Sequence, residues 1–86
     1  MKKLRKPRMF VEVRVHLQKS LQGTLDKAKS GLDQACQIFT HHDRQELAIS
    51  RHAIVRGKKP YITYRVYPCD DDPLREEIPV RMLEVF

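Results

Sequence analysis

Between Phe10 and Leu17 the chain reads FVEVRVHL, and no other stretch constrains the fold as tightly. Side chains alternate across an extended backbone with a period of two, so Val11, Val13, Val15 and Leu17 share one face and Glu12, Arg14 and His16 the other. This is a half-buried strand whose valine face needs a cover. The next segment can provide one. Ser20 is a suitable N-cap, and the apolar residues Leu21, Leu25, Ala28, Leu32, Ala35, Cys36 and Phe39 recur mostly three or four apart. That spacing predicts one amphipathic helix over 21–39, packed on the valines. Gly23 and Gly31 each lower its intrinsic propensity by about 1 kcal/mol relative to alanine, so packing must hold it.

The remainder reads as strands. Glu46–Arg56 fits two patterns. Leu47, Ile49, Ala53 and Val55 suit a strand, whereas Leu47, Ser50 and Ile54 suit a short helix. The turn signal Gly57–Pro60 favours the strand, because Tyr61–Tyr67 (YITYRVY) is β-branched and aromatic at six of seven positions and a short turn joins such runs into a hairpin. Pro68–Pro73 breaks the chain, Leu74–Glu77 suits a single helical turn, and Pro79–Phe86 reads as a last strand. The expected class is α+β: a small antiparallel sheet with one main helix on one face, in the order β-α-β-β-β. The nearest standard topology is a ferredoxin-like plait with a very short second helix.

Charge divides the chain. Of 86 residues, 17 are Lys or Arg and 11 Asp or Glu, a formal net charge of +6. Lys2, Lys3, Arg5, Lys6 and Arg8 fall in the first eight residues, which hold no acid, so residues 9–86 carry 12 basic residues against 11 acidic ones. The reading is a flexible basic arm over 1–8 and a single, nearly neutral domain over 9–86, a size that is marginally stable alone. Two cysteines, Cys36 and Cys69, and no apolar run of 18 residues point to reduced thiols, no membrane span and a cytoplasmic protein.

Catalytic motifs do not emerge. Cys36, His41, His42 and Cys69 lack the paired spacing of a structural zinc site. The serines have no nucleophile-elbow signature, Asp70–Asp72 reads as a solvated acidic loop, and three scattered glycines form no phosphate cradle. No enzyme, metal or cofactor is expected. The stretch Arg51–Val66 (RHAIVRGKKPYITYRV) loosely resembles the Arg- and Tyr-rich sheet of small RelE/ParE-type endoribonuclease toxins. The resemblance covers under a quarter of the chain and implies a ribonuclease only as a third reading.

Basic and aromatic residues occur together in a more informative way. Arg51–Tyr67 holds Arg51, Arg56, Lys58, Lys59 and Arg65 and no acid. If Ile62, Tyr64 and Val66 face the core, Tyr61, Thr63, Arg65 and Tyr67 share the open face, beside Arg14 and His16 of the first strand. Rings on a sheet stack exposed bases while Lys and Arg neutralise phosphates. The leading expectation is a small non-enzymatic module that binds RNA or DNA. Its contacts would be Lys2, Lys3, Arg5, Lys6, Arg8, Arg14, Arg56, Lys58, Lys59, Tyr61, Arg65 and Tyr67. The alternative is a protein-binding adaptor or inhibitor, of the kind phages and mobile elements encode. It would act through a sheet edge, through Leu83, Val85 and Phe86, and through the contrast between the basic hairpin and the acidic segment 70–77. The same complementarity would serve a homodimer.

Overall fold

The computed structural model describes residues 7–39, 47–68 and 76–86. Strand β1 (Arg8–His16) leads into helix α1 (Leu21–Ile38), followed by strands β2 (Ala48–Val55), β3 (Tyr61–Tyr67) and β4 (Glu77–Val85). The β-α-β-β-β layout is the one expected, with a single four-stranded sheet in the order β2-β3-β1-β4 and the helix on one face.

Ser20 caps α1 as its sequence position suggested, its Oγ accepting from the Gly23 N–H at 3.0 Å. The helix lies chiefly over β1 and β4. Val11, Val13 and Val15 are fully buried beneath Ala28 and Ala35, with Val66 from β3 completing the core. Each buried valine contributes on the order of 1.5 kcal/mol by leaving water. Gly31 has a specific reason to be glycine. A Cβ placed there would lie 2.7 Å from Cγ2 of Val85 and 2.9 Å from Cγ1 of Val13, well inside the ordinary carbon–carbon separation of about 3.5–4.0 Å. The missing side chain is what lets the helix settle this close to the sheet.

Two features of the sheet differ from expectation. First, β4 pairs parallel to β1, so the sheet is mixed rather than wholly antiparallel. β3 ends beside the start of β1, and β4 begins at that same end. It must then run opposite to β3 and along β1. A plait would return the chain to the far end before starting β4, through a crossover of about a dozen residues or more. Residues 68–76 are too few, and Glu77, expected in a helical turn, is the first residue of β4. Second, Arg8 does not belong to an arm. It is the first residue of β1 and is buried.

β2 settles as a strand, with a bulge between Arg51 and Ala53. The bulge explains why its pattern suited two structures. Ile49 and Arg51 pair with Val66 and Tyr64 on the helix side, but beyond the bulge Ile54, not Ala53, pairs on that side with Ile62. A one-residue insertion exchanges the two faces, so neither a clean two-residue nor a helical period survives. β4 carries a similar irregularity where Phe10 pairs with Pro79 and Val11 with Arg81. Proline is tolerated there because β4 is an edge strand.

The expected arm residues Lys2, Lys3, Arg5 and Lys6, the loop histidines His41 and His42, and Cys69, Asp70, Asp71 and Asp72 all lie outside the described residues. Cys36 packs against the core.

Candidate functional site

The face of the sheet turned away from α1 carries the residues expected there. Strand registers place Arg8, Phe10, Glu12, Arg14 and His16 of β1 on it, with Tyr61, Thr63, Arg65 and Tyr67 of β3 and Glu77, Met82 and Glu84 of β4. The alternation of β1 and β3 was therefore sufficient to predict which face each side chain takes. It could not reveal the charge balance of that face. Three arginines there meet three glutamates, and most of these charges are already paired.

Near the start of β1 the pairing is dense. Glu77 accepts from Arg8 Nη1 at 3.5 Å through Oε1 and from Arg65 Nη1 through Oε2, and the Tyr67 hydroxyl donates to Glu77 Oε1 at 2.9 Å. The Arg8 guanidinium lies 3.7 Å above the Tyr67 ring, and that of Arg65 lies 4.4 Å above Phe10. Phe10 and Tyr67 touch with ring centroids 5.8 Å apart. Tyr67 is 5% exposed, and burial, reinforced by its bond to Glu77, pushes its phenol above the ordinary 10.0. Arg8, Arg65 and Tyr67 are thus part of an internal cluster, which places them poorly for the phosphate contacts and base stacking expected of them. A buried ring with a guanidinium on its face has no surface left for a base, and a guanidinium bonded to a carboxylate has little charge left for a phosphate.

The other end of the same face is more open. Here β1 finishes, the Gly57–Pro60 turn joins β2 to β3, and β4 runs out at Phe86. The Leu17 N–H donates to the Pro60 carbonyl at 3.1 Å and ties the turn to the end of β1. Arg14 is bonded to Glu12 at 3.0 Å, which pushes its guanidinium pKa further up, and it lies 5.4 Å above the Tyr61 ring. His16 packs against Tyr61 at 5.4 Å, and its Nε2 is 3.2 Å from Glu84 Oε2. Its imidazole stacks on Phe86 with centroids 4.5 Å apart and planes 11° from parallel. Phe86 itself is 71% exposed.

Lys58 and Lys59 are exposed on the turn, and among the described residues neither forms an ion pair. Between them, the His16–Gln18 strand end and Phe86 lies an open concavity of about 370 Å³. Arg56 is exposed just ahead of the turn. Of the expected contacts, this end gathers Arg14, Arg56, Lys58, Lys59 and Tyr61. To them it adds His16 and Phe86. Strand parity already put His16 on this face, but the Phe86 contact depends on β4 lying beside β1.

A second concavity, of about 440 Å³, lies between the C-terminal half of α1 and β4. Its lining among the described residues includes Gln34, Gln37 and Arg81 and no aromatic ring. Among the described residues no three His, Cys, Asp or Glu side chains come together as metal ligands, and no helix is long and apolar enough to cross a membrane.

Fold and site together define a small helix-on-sheet domain with a charge-paired face and a basic, aromatic end. No family model matches the chain, and neither the characterised proteins nor the solved structures searched contain a match.

Proposed function

We propose that this chain is a non-enzymatic binding module that contacts nucleic acid through the Lys58–Lys59 end of its sheet. One observation carries the reading. The sheet face is charge-balanced and internally paired, whereas Arg56, Lys58 and Lys59 form an acid-free exposed run, of which Lys58 and Lys59 border the same concavity as Phe86. Cations that have no partner among the described residues keep their charge for phosphate, and affinity of this kind weakens with salt through counterion release. A cytoplasmic setting belongs to the same reading and rests on the cysteine count of two.

Pro7 and Arg8 lie at the end of the sheet opposite the Lys58–Lys59 turn. Glu76 and Glu77 also lie at the Pro7 end. Binding of labelled RNA and DNA from about 50 to about 300 mM salt tests the proposal. Lys58→Glu with Lys59→Glu should abolish most binding. Deleting residues 1–6 should lower the salt slope and leave binding measurable. Equal affinity for the Lys58→Glu/Lys59→Glu variant and the parent would remove the turn from the mechanism.

A protein partner is the second reading, and β2 supports it. Seven of its eight residues are exposed, and Ile49 and Ile54 stand 47% and 50% exposed beyond the cover of α1. An edge strand with uncovered isoleucines can receive an extended segment of another chain, or of a second copy. Such a complex should persist at about 0.3 M salt, since screening weakens exposed charge contacts and not apolar burial. Sedimentation of the purified chain over a concentration series separates self-association from a foreign partner.

A further inference from the structure

Building on the nucleic-acid reading, we infer that the target is single-stranded, with one unpaired base stacked on the outer face of Phe86 and its neighbouring phosphates held by Lys58 and Lys59. Four phenylalanine and tyrosine rings lie on the open face, and the geometry separates them; Phe10 is buried with the Arg65 guanidinium over it. Tyr67 is buried with Arg8 on its face. Tyr61 is flanked by the Arg14 guanidinium and the His16 ring. Phe86 keeps one face on His16 and, at 71% exposure, presents the other to solvent.

The stack beneath Phe86 makes it more than an exposed apolar residue. His16 sits within β1 and is held from the side by Glu84 and Tyr61. Its near-parallel ring fixes the plane of the phenyl group, so a base would add a third layer to a pile already ordered. The ring orientation is thus set before the ligand arrives, which reduces the entropy lost on binding. Lys58 and Lys59 border the same concavity on a turn bonded to the end of β1. Flexible ammonium groups beside a stacking ring suit a backbone of repeated phosphates without demanding a sequence.

Strandedness follows from the same geometry. In a duplex both faces of every internal base are occupied by its neighbours, so a lone protruding ring finds a partner only where a base is unstacked. The charge-paired remainder of the sheet offers a duplex backbone little further attraction.

Fluorescence anisotropy with a labelled oligothymidylate of about 12 nucleotides, and with a blunt duplex of the same length, tests the inference at about 50 mM salt. The single strand should bind more tightly than the duplex. Phe86→Ala should weaken it about tenfold, Phe86→Trp should retain it, and Phe86→Ala should change duplex affinity less than about twofold. Far-UV circular dichroism and the melting temperature confirm that the variants fold. If the single strand binds but Phe86→Ala leaves its affinity unchanged, or if the duplex binds as tightly, the stacking inference is overturned while the nucleic-acid reading stands. Absence of binding to either oligonucleotide overturns both.

Discussion

Replacing Glu77 with alanine withdraws a carboxylate shared by two arginines and a buried phenol, and the consequence can be estimated from the structure. The side chains of Arg8, Arg65 and Glu77 are 9%, 20% and 22% exposed, so solvent screens the cluster only in part. Among the described residues Nε of Arg8 and Nε of Arg65 are buried without a hydrogen-bond partner, which leaves Glu77 a large share of the compensation for two desolvated charges. Removing one member of a buried ion pair typically costs about 3–5 kcal/mol, and the residual exposure places Glu77→Ala near the lower bound, about 3 kcal/mol. An 86-residue domain has a total stability of roughly 4–13 kcal/mol, so the loss is a large fraction of it. In urea, with a slope of about 1–1.5 kcal/mol/M, the unfolding midpoint should fall by about 2–3 M.

Two companion variants identify the cause. Glu77→Gln keeps an acceptor for the Tyr67 hydroxyl and loses the charge, so it should fall between the parent and Glu77→Ala. The joint replacement Arg8→Met, Arg65→Met, Glu77→Leu and Tyr67→Phe removes the buried charges together with the hydroxyl that Glu77 accepts from and should recover to within about 1 kcal/mol of the parent, as apolar replacement of buried ion pairs often does. A Glu77→Ala variant within about 0.5 kcal/mol of the parent, the range of an ordinary surface change, would refute the account of this cluster as a mutually dependent unit.

Two further outcomes are expected. Gly31→Ala gains about 1 kcal/mol of helix propensity but drives a Cβ against Val85 and Val13, and overpacking costs about 1–3 kcal/mol. The melting temperature should fall, and a second change, Val85→Ala, should relieve part of the clash; a Gly31→Ala variant more stable than the parent would contradict the packing. Tyr67 sets an alkaline limit. Its folded-state pKa is raised above 10.0 by burial first and by the Glu77 bond second, so its contribution is complete below the unfolded value and is lost as pH rises through the folded one. Urea midpoints should stay level up to about pH 10 and then decline, and Tyr67→Phe should make that decline shallower. An unchanged pH profile in Tyr67→Phe would assign the alkaline loss to other groups.

Much of this fold is legible in short stretches of sequence. Val11, Val13 and Val15 declare a strand and its buried face. The spacing from Leu21 to Ala35 declares the helix, and Tyr61–Tyr67 declares a strand with its open face correctly read. β2 was harder, because the bulge after Arg51 breaks the alternation that identifies strands. The direction of β4 was not readable from its residues at all. It follows from where β3 ends and from the length of chain available to reach the next strand.

The candidate site shows the same division more sharply. The Tyr61–Tyr67 run and Arg8 look like a basic, aromatic surface in sequence, and the residue that neutralises much of it, Glu77, lies 69 positions from Arg8. Phe86 could be named as a terminal aromatic residue, but its stack on His16 exists only because β4 runs parallel to β1. The sequence by itself determined the order of the main elements and the faces of β1 and β3, since periodicity is a property of neighbours along the chain, but not the faces of the bulged β2 or the exposure of Leu21 and Leu25 on the helix. Tertiary structure decided which charges and rings remain available to a ligand, since strand order and register choose partners that lie far apart in sequence.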